Sequence, residues 1–168
     1  IGIVLKAERL PLNVGVGICQ GMMPIIAYNY SAKNRKRMND TIKYSLIIGL
    51  IVSAFSIIIY ELSAKLIVNA FISEAQTVAL GTNFLRARIL ATPFMFCSFF
   101  TVYMFHGFGE GNKALFLVVM RWAGLNIPML YILNHFIGMY GIVWSQLTAD
   151  VLTVIISYHV ASKYMKKL

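Results

Sequence analysis

Long apolar stretches, separated by short polar segments, dominate the pattern along this chain. Four stretches contain no Asp, Glu, Lys or Arg, namely residues 10–32, 44–60, 89–109 and 122–149. A bilayer core needs about 17–25 residues of helix, so the first three stretches suit single crossings. The fourth is too long for one crossing, and Asn134, Gly138 and Gly141 favour a turn within it.

The pattern therefore predicts an all-α, polytopic membrane protein. Apolar runs without strict alternation exclude a membrane β-barrel, and their repetition along the chain excludes a single signal peptide. Pro93 is expected to bend the third crossing. Five transmembrane helices are predicted, at about 1–29, 42–61, 84–107, 114–134 and 138–162.

Composition supports this class of protein. Hydrophobic residues make up 59% of the 168 residues and charged residues only 12%, against about 25% charged in soluble domains. The formal net charge of +9 raises the question of nucleic-acid binding, but the bases are distributed by topology. With residues 30–43 in the cytoplasm, the inner segments hold Lys33, Arg35, Lys36, Arg37, Lys43, Lys113, Arg121, Lys163, Lys166 and Lys167.

Only five bases then remain for the outer side: Lys6, Arg9, Lys65, Arg86 and Arg88. An excess of cytoplasmic Lys and Arg is the usual pattern of membrane proteins. We therefore expect a multi-pass protein of the plasma membrane with residues 30–43 and the carboxy terminus in the cytoplasm. The lipid bilayer, and not nucleic acid, is the expected partner of the basic segment.

The segment "KAERLPLNVGVGICQGMMPIIAYNYSAKNRKR" resembles the multidrug and toxic compound extrusion (MATE) family of secondary transporters. Weaker matches follow in the order of that family, at "NFLRARILATPF" and "GFGEGNKAL". The resemblance implies helices eight to twelve of a twelve-helix, two-lobe carrier. Because the chain begins at Ile1 in apolar sequence, we expect it to be part of a larger protein. The resemblance implies that it is a carboxy-terminal lobe fragment whose partner is the amino-terminal lobe of the same protein.

The function implied by the resemblance is secondary active efflux. Amphipathic or cationic organic compounds would leave by alternating access, in exchange for H⁺ or Na⁺ as the coupling ion. One rival is a flippase for lipid-linked sugars or polysaccharides of the same superfamily. A second rival is a membrane scaffold or channel subunit without transport activity.

One face of the first predicted helix carries polar residues at steps of three and four, and these residues are Lys6, Arg9, Asn13, Gly17, Gln20 and Pro24. One interpretation is a wall of the substrate cleft, with Asn13 and Gln20 bonding the substrate. The other is packing within the lobe, with Lys6 and Arg9 reaching the outer interface. Glu8 has three open roles: a pair with a base on another helix, a local ion pair, or attraction of a cationic substrate.

Asp150 lies near the middle of the last predicted span and shares its face with Gln146, Thr153 and Ser157. Charges near the bilayer centre cost about 2.5–3.5 kcal/mol and usually face a cavity or a partner. Two roles are open for Asp150. Reversible protonation or cation binding, supported by Gln146, would couple transport to a gradient. Pairing with Arg121 would be structural.

Other candidate chemistry is weak. The acidic sodium ligands that some family members carry in helices seven and ten have no counterpart here, because the third span lacks acids. "GFGEGNK" lacks the Gly-Lys-Ser/Thr ending of a phosphate loop and indicates a turn. Cys19 and Cys97 have no metal-type neighbours and are expected to be free thiols. No catalytic motif is present in the sequence, so we expect a protein that is not an enzyme, without a metal or organic cofactor.

Overall fold

The computed structural model describes residues 2–70 and 75–166, and helices account for nearly all of them. No strand occurs within these residues, which confirms the all-α class. The elements in chain order are α1 (Gly2–Ser31), α2 (Arg35–Asn69), α3 (Ala75–Ile89), α4 (Thr92–Gly107), α5 (Gly111–Val119), a π-helical segment (Met120–Asn126), α6 (Ile127–Ile137) and α7 (Met139–Met165).

Length and apolar composition suit several of these helices to a bilayer. Within the described residues, Glu8–Ser31 in α1, all of α2, and Gly111–Phe136, which runs from α5 into α6, are each long and apolar enough to cross it. The bent pair Thr77–Ile89 and Thr92–Gly107 is, taken together, long and apolar enough for a fourth crossing. Helix α7, with 27 residues, also has the length for a crossing. A fifth crossing there stays a prediction.

The third predicted crossing is broken, not smoothly bent. Helices α3 and α4 meet at 44° across a break of two residues, Leu90 and Ala91. Pro93 occupies the first turn of α4, where its missing amide hydrogen has no helical partner to lose. The bend therefore lies just ahead of Pro93, which begins a new helix.

Close approach of α1, α2 and α4 forms the core. The ring of Phe96 on α4 lies between Gly15 of α1 and Gly49 of α2, and a Cβ atom at Gly49 would overlap that ring. Small residues allow such approach in membrane helices. Around Phe96, the buried cluster continues with Cys19, Met22, Ile26, Met38, Phe100, Met104, Phe105, Phe108, Ala114 and Leu117.

The fourth predicted crossing changes its helical pattern midway. Residues Met120–Asn126 adopt a π-helix between α5 and α6. Pro128 lies two residues beyond this segment and has no amide hydrogen to donate to the preceding turn. The missing hydrogen bond favours a local departure from the α-helical pattern. Short π-helical insertions often occur at functional sites. This one holds Arg121, a buried base.

Candidate functional site

A buried ion pair joins the π-helical segment to the middle of α7. The Nε atom of Arg121 donates to Oδ1 of Asp150 over 2.9 Å, and Nη2 lies 2.8 Å from the same oxygen without the angles of a hydrogen bond. The two side chains are 5% and 0% exposed. The rings of Phe99 and Trp122 lie 4.7 and 5.3 Å from the guanidinium carbon and shield it further. Asp150 is thus paired with Arg121, as one of its two expected roles requires.

Amide side chains extend this pair towards the surface. Nε2 of Gln146 donates to Oδ2 of Asp150 over 3.0 Å, so both carboxylate oxygens accept hydrogen bonds. Nδ2 of Asn126 donates to Oε1 of Gln146 over 3.0 Å. The chain of contacts Asn126–Gln146–Asp150–Arg121 therefore crosses between the π-helical segment and α7 twice.

A second buried ion pair lies on the other side of the same region. Nε of Arg88, near the end of α3, donates to Oε2 of Glu8 in α1 over 2.6 Å. The side chains are 10% and 5% exposed. Of the three roles open for Glu8, the pair with a base on another helix is therefore the one observed. Its second oxygen, Oε1, is buried without a hydrogen-bond partner among the described residues.

Both ion pairs border one cavity of about 400 Å³. Glu8, Arg88, Arg121 and Gln146 contribute to its wall, and Asp150 lies directly behind the last two. Apolar and aromatic residues also line it, namely Leu12, Met95, Phe99, Trp122 and Leu130, and Asn126 and Ser145 add polar groups. Arg9 also lines this cavity, and it makes no ion pair within the described part of the chain. The cavity combines an apolar lining with charges that are largely neutralised in pairs.

The polar face of α1 is largely exposed within the part of the chain that the structure describes. Lys6, Arg9, Asn13 and Gln20 are all exposed, while Glu8 faces inward. Nε2 of Gln20 donates to the hydroxyl of Tyr103 on α4 over 3.4 Å, so Gln20 lies at the border of the two helices. The exposed side chains of this face are therefore accessible to a molecule that lies beside α1.

Comparison with known proteins places the chain in a family. A family model, MatE, matches residues 1–132. The chain belongs to the MatE family. The resemblance to multidrug and toxic compound extrusion transporters that the sequence shows is thereby confirmed.

Curated relatives of this MatE chain are exporters by name. The multidrug export protein MepA of Staphylococcus haemolyticus (strain JCSC1435) is 26% identical over 167 residues, covering 99% of this chain and 36% of that protein. MepA of Staphylococcus aureus (strain MSSA476) is 29% identical over 150 residues, covering 89% and 33% respectively. The chain thus spans about a third of the length of the curated relatives it matches.

Solved structures share the fold. The Vibrio cholerae MATE transporter VcmN in its bent form superposes with a TM-score of 0.91 at 14% identity, covering 99% of this chain and 38% of that one. The outward-facing conformation of a multidrug resistance MATE family transporter gives a TM-score of 0.82 at 20% identity, covering 94% and 35%. The helical arrangement of the MatE chain is therefore that of known transporters.

The sequence pattern does not predict a role at the site for three residues. Arg88 and Phe99 lie in the broken third crossing, and Asn126 lies in the π-helical segment. Arg88 stands inside the quoted "NFLRARILATPF" segment, but its partner Glu8 is 80 positions away. A base directly before a charge-free apolar stretch was the available signal for Arg88. For Phe99 and Asn126 no periodicity marks a role.

Chemically, the site holds two acids that each have a buried base. Protonation of Asp150 would leave Arg121 without its counter-ion in a poorly hydrated place, which is costly. The guanidinium would then gain from moving towards water or towards another anion. Protonation of Asp150 would therefore change the forces on Arg121, a side chain that lines the cavity.

Proposed function

We propose that this MatE chain is part of a secondary active exporter of amphipathic or cationic organic compounds. Its relatives are named multidrug export proteins, and its fold matches transporters. The chain would form helices eight to twelve, in the carboxy-terminal lobe of a twelve-helix carrier. An amino-terminal lobe would face the exposed polar side of α1.

The observation that carries this proposal is the pair of buried ion pairs beside one cavity. Charges in a membrane core cost about 2.5–3.5 kcal/mol each, and they are usually retained for a pathway or relay. Glu8–Arg88 and Arg121–Asp150 place four such charges around the same 400 Å³ space. Helix packing alone needs no charges, since small residues already provide it. The arrangement therefore favours transport over a scaffold.

Substrate contact is proposed for the exposed face of α1 and the adjoining cavity. Asn13 and Gln20 would donate and accept hydrogen bonds, because an exposed amide in a lipid environment needs a partner. Glu8 and Arg9 would line the same path, in which Oε1 of Glu8 has no hydrogen-bond partner among the described residues. Asp150, supported by Gln146, would bind the coupling ion, H⁺ or Na⁺, as transport proceeds by alternating access.

The same proposal places the protein in the plasma membrane as a multi-pass chain. The turn between α1 and α2, within residues 30–43, would face the cytoplasm together with the carboxy terminus. Five bases in that segment support this orientation, because positive charge is retained on the cytoplasmic side.

The flippase alternative receives less support from the charges. Holding a pyrophosphate group requires unpaired bases along the cleft. Arg88 and Arg121 are neutralised by Glu8 and Asp150, which leaves Arg9 as the base without an ion pair among the described residues that line this cavity. One unpaired base, Arg9, is therefore what this cavity offers to a pyrophosphate group.

A transport assay with Gln20→Ala tests the proposal. The variant should export at least one organic cation more slowly from cells or liposomes, with unchanged expression, because an amide at the cleft wall is lost. Asn39→Ala is the matched control, since Asn39 is an exposed amide outside the α1 face. Equal losses of folded protein and of transport in Gln20→Ala would instead assign Gln20 to packing with Tyr103.

A further inference from the structure

A second cavity of about 400 Å³ lies in the groove between α1 and α2, beside the turn that joins them. Its lower part is apolar and is formed by Pro24, Ile25 and Tyr28 of α1. Arg37 in the first turn of α2 adds a base near the joining turn, and Asn29 and Thr41 add polar groups beside the apolar residues. The groove thus combines a basic end with a mainly apolar wall on α1.

The base at the top of this groove has no acidic partner. Arg37 is exposed, and its guanidinium forms no ion pair within residues 2–70 and 75–166. Its backbone amide donates to Oδ1 of Asn34 over 3.2 Å, which caps the first turn of α2. Lys33 and Lys36 add unpaired positive charge nearby. An anionic ligand would neutralise this positive charge.

The apolar part of the groove extends away from the turn along α1. Ile25 precedes the end of α1 at Ser31 by six residues, which is about 9 Å along a helix. Ile25 is 49% exposed and Tyr28 is 72% exposed. Tyrosine is typical of the membrane interface, where its ring lies at headgroup level. The surface therefore passes from basic to aromatic to aliphatic in the order of a phospholipid.

Ile25 and Tyr28 of this groove lie beside the proposed substrate face of α1, and Pro24 belongs to both surfaces. At 3.6 residues per turn, Ile25 and Tyr28 lie on the half of the exposed α1 surface that Leu10 and Val14 also occupy. Asn13 and Gln20 lie on the other half, towards α4. One half is polar and the other apolar, so one helix presents two different environments.

We propose that the α1–α2 groove binds an anionic phospholipid. Its phosphate would accept hydrogen bonds from the guanidinium of Arg37, and its acyl chain would lie over Tyr28, Ile25 and Pro24. The inference rests on the membrane placement proposed above, but not on the transported compound. Lipid binding would hold the α1–α2 turn at the cytoplasmic leaflet.

Native mass spectrometry of the purified protein tests this site with three probes: phosphatidylglycerol, phosphatidylcholine and inorganic phosphate. Phosphatidylglycerol should bind more tightly than phosphatidylcholine. Arg37→Gln should weaken phosphatidylglycerol binding about fivefold, the loss expected for one base near an anionic surface. Lys43→Gln is the matched control, since this exposed base on α2 does not line the groove and should change the affinity by less than about twofold.

Ile25→Trp provides an independent variant, because the larger side chain fills the lower groove and should reduce binding without changing charge. Equal affinities for the two lipids, or equal effects of Arg37→Gln and Lys43→Gln, would overturn the proposal. Displacement of phosphatidylglycerol by inorganic phosphate at matched concentration would also overturn it and would identify a site for free anions. None of these binding measurements depends on export activity. A negative result for lipid binding is therefore distinct from a negative result for the transport proposal.

Discussion

Arg121 and Asp150 connect the π-helical segment to the centre of α7, with Nε of Arg121 donating to Oδ1 of Asp150 over 2.9 Å. Desolvation of two charges offsets most of their attraction, so a buried ion pair adds little net stability. Removal of one partner is costly, because the other charge stays buried. The stability of this region therefore depends on whether Asp150 carries its charge beside Arg121.

Loss of one partner should destabilise the protein more than loss of both. Asp150→Leu alone should lower the free energy of unfolding by about 3–5 kcal/mol, because Arg121 is left uncompensated. The double variant Arg121→Met with Asp150→Leu should recover most of that loss. Unfolding of the purified variants in detergent, followed by circular dichroism, measures the difference. Simple addition of the two single effects would contradict the ion-pair account.

Gly49 is expected to tolerate no side chain. A Cβ atom there would overlap the ring of Phe96, which is itself held against Gly15. Gly49→Ala should therefore reduce stability by about 1–3 kcal/mol, as overpacking does. Gly17→Ala is the control, because nothing lies within 4 Å of a Cβ at Gly17. Equal melting temperatures of the two variants would show that the Phe96 ring can move to accommodate the added methyl group.

Topology is tested by labelling single cysteines at Asn34 and Thr77, in a background that lacks Cys19 and Cys97. Both positions are exposed. A membrane-impermeant reagent added to intact cells should label position 77 and spare position 34 until the membrane is opened. Labelling at 34 and not at 77 would invert the proposed orientation.

Acid should weaken the contact between Glu110 and the end of α7. Nζ of Lys113 lies 2.6 Å from Oε2 of Glu110, and this hydrogen bond, aided by one from Tyr164, lowers the pKa of Glu110 from its ordinary 4.5. The stabilisation is therefore complete above pH 4.5 and is lost as the pH falls through the lower folded value.

Thermal unfolding between pH 6 and pH 3 checks this expectation. Glu110→Gln should be less stable than the parent at pH 6 and should lose less stability on acidification. Asp40→Asn, a change at an exposed acid without an ion pair among the described residues, should follow the parent curve. Parallel curves for the parent and Glu110→Gln would disprove the role of Glu110.

Much of the helical layout follows from charge-free lengths in the sequence, because a bilayer imposes length and apolarity on every crossing. The site depends on other forces. Glu8 and Arg88 meet across 80 residues, and no helical period relates them. The π-helical turn that carries Arg121 depends on the backbone hydrogen bonds ahead of Pro128. A hydropathy pattern contains no information about those bonds. Sequence patterns thus indicate Asp150 as unusual, but only the packing of helices shows what it contacts.

Asp150→Asn separates the two roles of this residue. Asparagine keeps the shape of aspartate and can still accept a hydrogen bond from Arg121, but it neither releases a proton nor attracts a cation. If Asp150 couples transport to a gradient, liposomes with an imposed pH or sodium gradient should show no uphill export by Asp150→Asn, while substrate binding is largely retained. Gln146→Leu, which removes the neighbouring hydrogen bond and leaves the carboxylate, should shift the dependence on pH or sodium without abolishing export. Full gradient-driven export by Asp150→Asn would eliminate the coupling role and leave the ion pair with Arg121 as a structural contact.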